Sequence, residues 1–404
     1  MQILVVNSGS SSIKFSIFVV DENASSADPQ CLMDGQLSDI GSGQSTLEVR
    51  FGDGSSHLTQ SRVDVPNLSQ AITLVLDTIS ASNMPAFEAI GYRVVHPGAK
   101  LRQHQRITEQ VLHDLEEATD FAPLHNPEVV QMIRAFMARF SKISHYACFD
   151  TVFHQTMPEA ATTYPLPRQY RRKGVRRYGF HGLSCESIVR QLRAQGYVPR
   201  RMAIAHLGSG CSVTALIDGQ SVDTTMGMTP TGGVVMGTRS GDLDPGLVLY
   251  LLRDQNHPTG DAITAVETLL NHASGMVALS GMPNDVKAVR KAANEGNERA
   301  ALALSIFTRS VTKAMGSFCW LLGGLDAIVF AGGIGEHDPQ TRTQILGNLE
   351  GLGIHIDEVR NHSAGTGIQR ISTSASGTAV FIIPAQEDLM IAVHVSDMAQ
   401  QRSN

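Results

Sequence analysis

Apolar and polar positions alternate in short blocks along the chain, and the period of the blocks changes repeatedly. Ile3–Val6 and Ile13–Val20 are β-rich runs flanking the polar turn Asn7-Ser8-Gly9-Ser10-Ser11-Ser12, which predicts a hairpin. Pro66 opens a stretch in which Leu68, Ile72, Leu76 and Ile79 recur at helical spacing. FEAIGYRVV then reads as a strand broken by His96-Pro97-Gly98. Asn126-Pro127 caps another amphipathic helix carrying Val130, Ile133 and Met137, and the strand ISHYACF ends at Asp150. Arg168, Arg171, Arg172, Lys173, Arg176 and Arg177 make the next stretch basic and loop-like, a candidate domain boundary. It is either a solvated face or a source of positive potential for an anionic nucleotide.

The opening theme then returns. Met202–Gly219 (MAIAHLGSGCSVTALIDG) is again strand, Gly/Ser turn and strand, about two hundred residues after the first copy. That period is too long for a solenoid and suggests a duplicated domain. A long, mostly apolar helix is expected from about Asn297 to Leu322, stopped by Gly323-Gly324. AIVFAGGIGEHDPQTR reads as strand, Gly-rich turn and helix start; AVFIIPA is a buried strand, and EDLMIAVHVSDMAQQ from Glu387 is a terminal helix. Strands alternating with helices throughout predict an α/β fold with helix-covered sheets.

Composition narrows the function classes. The chain has 404 residues, 42% hydrophobic and 17% charged, with a net charge of -6. Neither nucleic acid nor an anionic membrane is expected as a general partner. No apolar run approaches the roughly eighteen residues of a membrane span. The start lacks the features of a signal peptide. Five scattered cysteines without a CxxC read as reduced thiols, so a cytoplasmic location is expected.

The chemistry-bearing residues sit just past apolar strands: Asn7 after ILVV, Arg93 near AIGY, Asp150 after HYACF, the 208–212 turn after AIAH, and Gly332-Gly333 after IVFA. Ligands gather at such strand ends in open α/β sheets, and Gly/Ser turns expose N–H groups that can cradle phosphate. Each turn alone reads more readily as an ordinary tight turn. There is no GxxxxGK[ST] and no full GxGxxG.

Two strand–turn–strand loops half a chain apart, with a Gly-rich strand–helix turn, resemble the acetate and sugar kinase, heat-shock protein and actin superfamily. NSGSSSIKFSIF, YRVVHPG, FDTVFHQTMP, RRYGFHGLS, HLGSG, MGTRSGDLDPG, AGGIGE and QEDLMIA occur in that order over nearly the whole chain. The set resembles the acetate kinase family. The resemblance implies duplicated ribonuclease-H-like (actin-like ATPase) domains with a cleft between them, one of residues 1–150 plus 386–404 and one of 151–385. It implies reversible phosphoryl transfer between ATP and acetate, giving acetyl phosphate and ADP, with Mg²⁺ (or Mn²⁺), in a homodimer whose contacts lie on apolar helices of the second domain. A propionate or butyrate kinase of the same family is the alternative, and a non-catalytic actin- or chaperone-like ATPase is a third.

Carried over residue by residue, the resemblance implies catalytic roles for Arg93, Asp150, His181 and Arg239. Arginine suits carboxylate and phosphoryl oxygens because its fork binds them bidentately; on the residues alone, Arg239 could equally pair with Asp242 or Asp244. Nucleotide contacts are implied for Asn7, Lys14, His206, Gly208, Ser209, Gly210, Asp285, Val286, Lys287, Gly332, Gly333, Ile334, Gly335 and Glu336. An acetate pocket of Val95, Leu124, Phe180 and Pro230 beside Arg93 is implied, and a metal set of Asn7, Asp150 and Glu387. Magnesium needs only one or two carboxylates plus phosphates.

Several residues depart from the family pattern. Ser209 stands where asparagine is frequent, Leu183 and Cys185 replace the usual GTSH residues, and Pro97 stiffens the loop after Arg93. Asp285-Val286-Lys287 occupies a stretch where an aromatic and an arginine often surround adenine, which puts ATP selectivity in question. Cys211, inside the second loop, is either an oxidant-sensitive thiol or an inert small residue.

Overall fold

In this computed structural model the described residues are 1–404 apart from 10–11, 22–27, 53–58, 82–85, 123–125, 255–260, 348, 364 and 402–404. The chain forms two compact units, Met1–Val152 with Gln386–Asn404, and Phe153–Ala385.

The first unit is built on an eight-stranded sheet. Its strands are β1 (Gln2–Gly9), β2 (Ser12–Val19), β3 (Gln30–Ser38), β4 (Ser45–Phe51), β5 (Thr59–Val63), β6 (Ala89–Val94), β7 (Gln105–Arg106) and β8 (Ser144–Phe149), in spatial order β5-β4-β3-β2-β1-β6-β8-β7. β1 and β2 pair antiparallel with Asn7 opposite Lys14, while β1, β6 and β8 run parallel. Leu4, Val6, Phe15 and Tyr92 are fully buried in one core with the helices Leu68–Ala81 and Asn126–Arg139. The first of these helices starts at Leu68 because the Asn67 side chain accepts the Gln70 N–H at 3.0 Å. In the second, Ile133 and Phe136 are buried and Met137 lies at the margin of the core. The opposite sheet face receives the helix Glu387–Gln400, which lies so close to β6 that a Cβ on Gly91 would meet Ile391 at 2.6 Å.

The second unit repeats the wiring. Its strands are β9 (Arg201–Leu207), β10 (Cys211–Ile217), β11 (Gln220–Thr224), β12 (Ala327–Ala331), β13 (Gln369–Arg370) and β14 (Ala379–Ile382), in order β11-β10-β9-β12-β14-β13. β9 and β10 form the antiparallel hairpin, and β12 lies parallel to both β9 and β14. The long helix runs Glu298–Leu322, capped by Asn297 and ended by Gly323 at φ 68°.

Two sequence expectations change. The basic stretch is not a domain boundary: Arg168–Arg172 forms a short helix inside the second unit, and the chain changes unit earlier, between Val152 and Phe153. AIVFAGGIGEH contains no intervening loop; β12 passes directly into the short helix Gly332–His337. Gly332 makes this possible at φ 74°, where a Cβ would lie 2.8 Å from the Leu207 carbonyl oxygen.

Candidate active site

In the first unit, three parallel strands deliver three side chains to neighbouring strand ends. Asn7 comes from β1, Arg93 from β6, and Asp150 follows β8. Arg93 Nε donates to Asp150 Oδ1 and Oδ2 at 2.9 and 3.1 Å, and its Nη2 donates to Oδ2 at 2.6 Å. Nη1 donates to Asn7 Oδ1 at 3.3 Å and lies 3.5 Å from Glu387 Oε2. Burial would lower the Arg93 pKa, but Asp150, Glu387 and Asp388 outweigh it, so the guanidinium stays charged. Lys14 is exposed on β2 opposite Asn7, and Val95 follows β6 half-buried. Leu124 lies outside the described residues.

Asp388 belongs to this cluster and was not singled out from the sequence. Its Oδ1 accepts from Asn7 Nδ2 at 2.9 Å and its Oδ2 from Ser16 Oγ at 3.4 Å. Burial, followed by the charge of Glu387, raises its pKa against the lowering effect of the Asn7 hydrogen bond. The available signal was the pair Glu387-Asp388 opening one helix: the first faces Arg93 and the second faces Asn7. The atoms that face Arg93 are all acceptor oxygens (two carboxylates and the Asn7 amide), which fits a hard cation such as Mg²⁺ that keeps most of its waters.

In the second unit the hairpin turn is surrounded by imidazoles and a guanidinium. His181 caps the helix Gly182–Ala194 in the left-handed region, at φ 58° and ψ 27°. A Cβ placed on Gly210 would lie 3.3 Å from His181 Nε2 and 3.5 Å from Arg239 Nη1, so both groups reach the same point of the turn. Arg239 Nη1 also donates to the Pro230 carbonyl at 3.3 Å. Asp242 accepts from the Gly233 N–H and Asp244 caps the helix Pro245–Leu252, so each of these acids has another role. Phe180 is buried, and its carbonyl oxygen is 2.8 Å from Nε2 of the buried His154. Cys211 is buried too; its thiol donates to the Gly208 carbonyl, and burial pushes its pKa up to about 12. That favours the inert reading of this cysteine.

A cleft of about 1010 Å³ opens beside the turn. Gly208, Ser209, Asp285, Val286, Lys287, Gly333 and Ile334 line it, together with Asn284, Arg290, Asn294 and His337. Its volume is that of a small-molecule site. No Phe, Tyr or Trp is among these lining residues. The short arm of Ser209 is extended by Asn284, whose Nδ2 donates to Ser209 Oγ at 3.0 Å. Asp285 Oδ1 accepts from the N–H groups of Lys287 and Ala288, capping the helix Val286–Asn294. Glu336 does not line the cleft: its Oε1 accepts from the Gly332 and Ala385 N–H groups at 2.8 and 3.2 Å, which braces the start of the helix Gly332–His337. Gly335 is buried against Phe330 and the Ala205 carbonyl. The buried Arg342, missed in the sequence, donates to the carbonyls of Gly335 and Glu336 at 2.8 and 3.1 Å, at the other end of the same short helix.

A model described as the acetokinase family matches residues 2–393. The chain is 40% identical over 402 residues to an acetate kinase of Halothermothrix orenii, covering 97% of this chain and 98% of that one. It is 38% identical over 406 residues to an acetate kinase of Geobacillus kaustophilus, covering 98% and 99%. Among solved structures it is similar to an acetate kinase of Porphyromonas gingivalis, with a TM-score of 0.83, 32% identity and coverage of 98% and 99%. A propionate kinase of Francisella tularensis gives a TM-score of 0.86 at 32% identity and the same coverage.

Proposed function

This chain belongs to the acetokinase family and is a phosphotransferase that passes a phosphoryl group between ATP and acetate; from that premise we propose how its residues divide the reaction. The observation that carries the division is the meeting of His181 Nε2 and Arg239 Nη1 at Gly210, on a turn that opens onto the nucleotide-sized cleft. Phosphoryl transfer requires alignment and charge neutralisation more than covalent help.

The nucleotide occupies the second-unit cleft, with its phosphates on the Gly208–Gly210 turn and its base toward Asp285, Val286 and Lys287. His206, Gly332, Gly333 and Ile334 shape the same end, and Glu336 and Gly335 act by bracing it. Arg239 and His181 hold the oxygens of the migrating phosphoryl group. In the first unit, Arg93 binds the acceptor carboxylate, and Asp150 fixes the guanidinium plane through two donor nitrogens. Val95 in the first unit, and Phe180 and Pro230 in the second, are the apolar residues proposed to meet the acetate methyl group. Asn7, Asp150 and Glu387 would hold Mg²⁺ or Mn²⁺, which when bound neutralises phosphate charge; Lys14 adds a cation nearby.

The chain acts in the cytoplasm, in keeping with its five free thiols, and as a homodimer. No residue of the helix Pro245–Leu252 is buried, and Leu247, Leu249 and Tyr250 on it and Ile263 on the helix Ala262–His272 are exposed. A second copy covers that surface, and sedimentation at micromolar concentration checks it.

Trapping the acyl phosphate with hydroxylamine across acetate, propionate and butyrate tests the acceptor. Acetate is expected to react best and propionate measurably, because one methylene changes discrimination by only ~1–3 kcal/mol. Butyrate or propionate turnover above acetate would replace the proposed acceptor, and absence of any hydroxamate would end the kinase reading. Comparing ATP, GTP and pyrophosphate as donors tests the base end, where loss of an aromatic wall predicts loose selection.

A further inference from the structure

The Gly208–Gly210 turn is bordered by two histidines, not one. The rings of His181 and His206 are stacked, with centroids 4.2 Å apart and planes 24° from parallel. Each ring is held at Nδ1 by a serine hydroxyl: Ser212 Oγ lies 3.0 Å from His181 Nδ1, and Ser184 Oγ lies 2.7 Å from His206 Nδ1. Both serines are fully buried. The two Nε2 atoms turn to the same backbone. A Cβ on Gly210 would lie 3.3 Å from His181 Nε2, and one on Gly208 would lie 3.8 Å from His206 Nε2.

We propose that Ser212 and Ser184 are positioning residues that hold His181 and His206 in the Nε2–H tautomer, so that the phosphate turn is completed by a pair of ring N–H donors fixed from behind. This rests on the reading that His181 faces the migrating phosphoryl group.

The chemistry of the groups supports one tautomer. A phosphoryl oxygen accepts and never donates, so a ring that serves it must carry its proton on the nitrogen facing the turn. A neutral imidazole has one N–H, which leaves Nδ1 bare and in need of a donor. A serine hydroxyl can rotate to donate, and each ring has one within hydrogen-bond reach of that nitrogen. Protonating both rings would set two cations face to face at 4.2 Å, beside the Arg239 guanidinium that reaches the same glycine. Stacking also makes the rings mutually dependent, because neither can rotate about χ2 without striking the other.

The test uses the full-length enzyme, with histidine ring nitrogens labelled with ¹⁵N and signals assigned by their loss in His181→Asn and His206→Asn. The wild-type spectrum is expected to show protonated Nε2 and bare Nδ1 for both rings. Ser212→Ala should move the His181 signals most and Ser184→Ala those of His206 most. Each should lower kcat about tenfold or more, the effect usual for removing the partner that fixes a tautomer, with the KM for acetate nearly unchanged. Ser187→Ala, which removes a buried hydroxyl that donates to the Ser184 carbonyl, is the control and should match wild type. An Nδ1–H tautomer in the wild type, or wild-type kcat in Ser212→Ala when His181→Asn is impaired, would overturn the proposal. Wild-type kcat in His181→Asn itself would instead remove the reading on which it rests.

Discussion

The two units share one wiring and use it for opposite electrostatics. In each, an antiparallel hairpin (β1–β2 or β9–β10) lies beside a parallel strand (β6 or β12), and chemistry-bearing side chains gather at the ends of these strands. Around the first hairpin stand three carboxylates and an amide surrounding one arginine. The second is bordered by two imidazoles, an arginine and glycine backbone, and its nearby acids, Asp242 and Asp244, are engaged by backbone N–H groups. Topology therefore sets where a ligand can sit, and the residues at the strand ends decide its charge. Arg93 and Arg239 show the same contrast. The first is locked to a carboxylate that is 1% exposed, whereas the second rests on the carbonyl of Pro230.

That contrast can be broken by experiment. Arg239→Ala and Arg93→Ala should each lower kcat by about 10³-fold or more, the scale of a charge-stabilising arginine in phosphoryl transfer. Arg93→Ala should also lower stability, because it removes the guanidinium paired with the buried Asp150 carboxylate, and breaking such a pair costs about 3–5 kcal/mol. A melting temperature equal to wild type in this variant would remove the pair from the stability of the first unit. A smaller effect is expected at Asp388. Asp388→Ala frees the Asn7 amide and should lower kcat about tenfold, whereas Asp388→Asn keeps an acceptor for Asn7 Nδ2 and should lose less. Equal losses would mean that the charge of Asp388 matters, not its hydrogen bond.

The units should also share an acid limit. Burial pulls His154 in the second unit down to about 4, and His104 in the first down to about 3, from an ordinary value of 6.5. Both are neutral in folded and unfolded chains above pH 6.5. Below it the unfolded chain takes up protons first, so stability falls until the folded values are reached. The slope for His154 is at most about 1.4 kcal/mol per pH unit. Denaturant unfolding of His154→Gln should show a shallower fall below pH 6.5; an unchanged slope would remove this histidine from the acid limit. The smallest effect concerns Cys211. With its thiol buried and pushed up to about 12, treatment with iodoacetamide should leave activity unchanged, and rapid loss that Cys211→Ser prevents would show that the second turn opens.

Much of the frame was legible because apolar blocks with glycine punctuation are strong local signals. Both hairpins, the helix ended by Gly323 and the strand ahead of Asp150 follow from them. What remained hidden depends on packing between distant segments. Asp388 lies 381 positions from Asn7, and only docking of its helix on β1 and β6 brings the two together. Phe136 and Met137 are adjacent and similarly apolar, so periodicity could not decide which faces the core. Glu336 stands close in sequence to the cleft-lining Gly333 and Ile334, yet its carboxylate turns back to satisfy two backbone donors. The serines behind the imidazoles looked like any small polar residues, because their part is visible only once the rings are stacked in front of them.

The helix Glu387–Gln400 completes the first unit but follows the whole of the second in the chain. During synthesis, β1, β6 and β8 therefore leave the ribosome long before the element that covers them. Until it arrives, the groove at Gly91 into which Ile391 and Val395 fit stands open, and Arg93 lacks Glu387. Asp150 is made early, but Glu387 and Asp388 can join Arg93 and Asn7 only after the second unit has been synthesised. The order of translation thus leaves Arg93 and Asn7 without these two carboxylates until the last helix has docked.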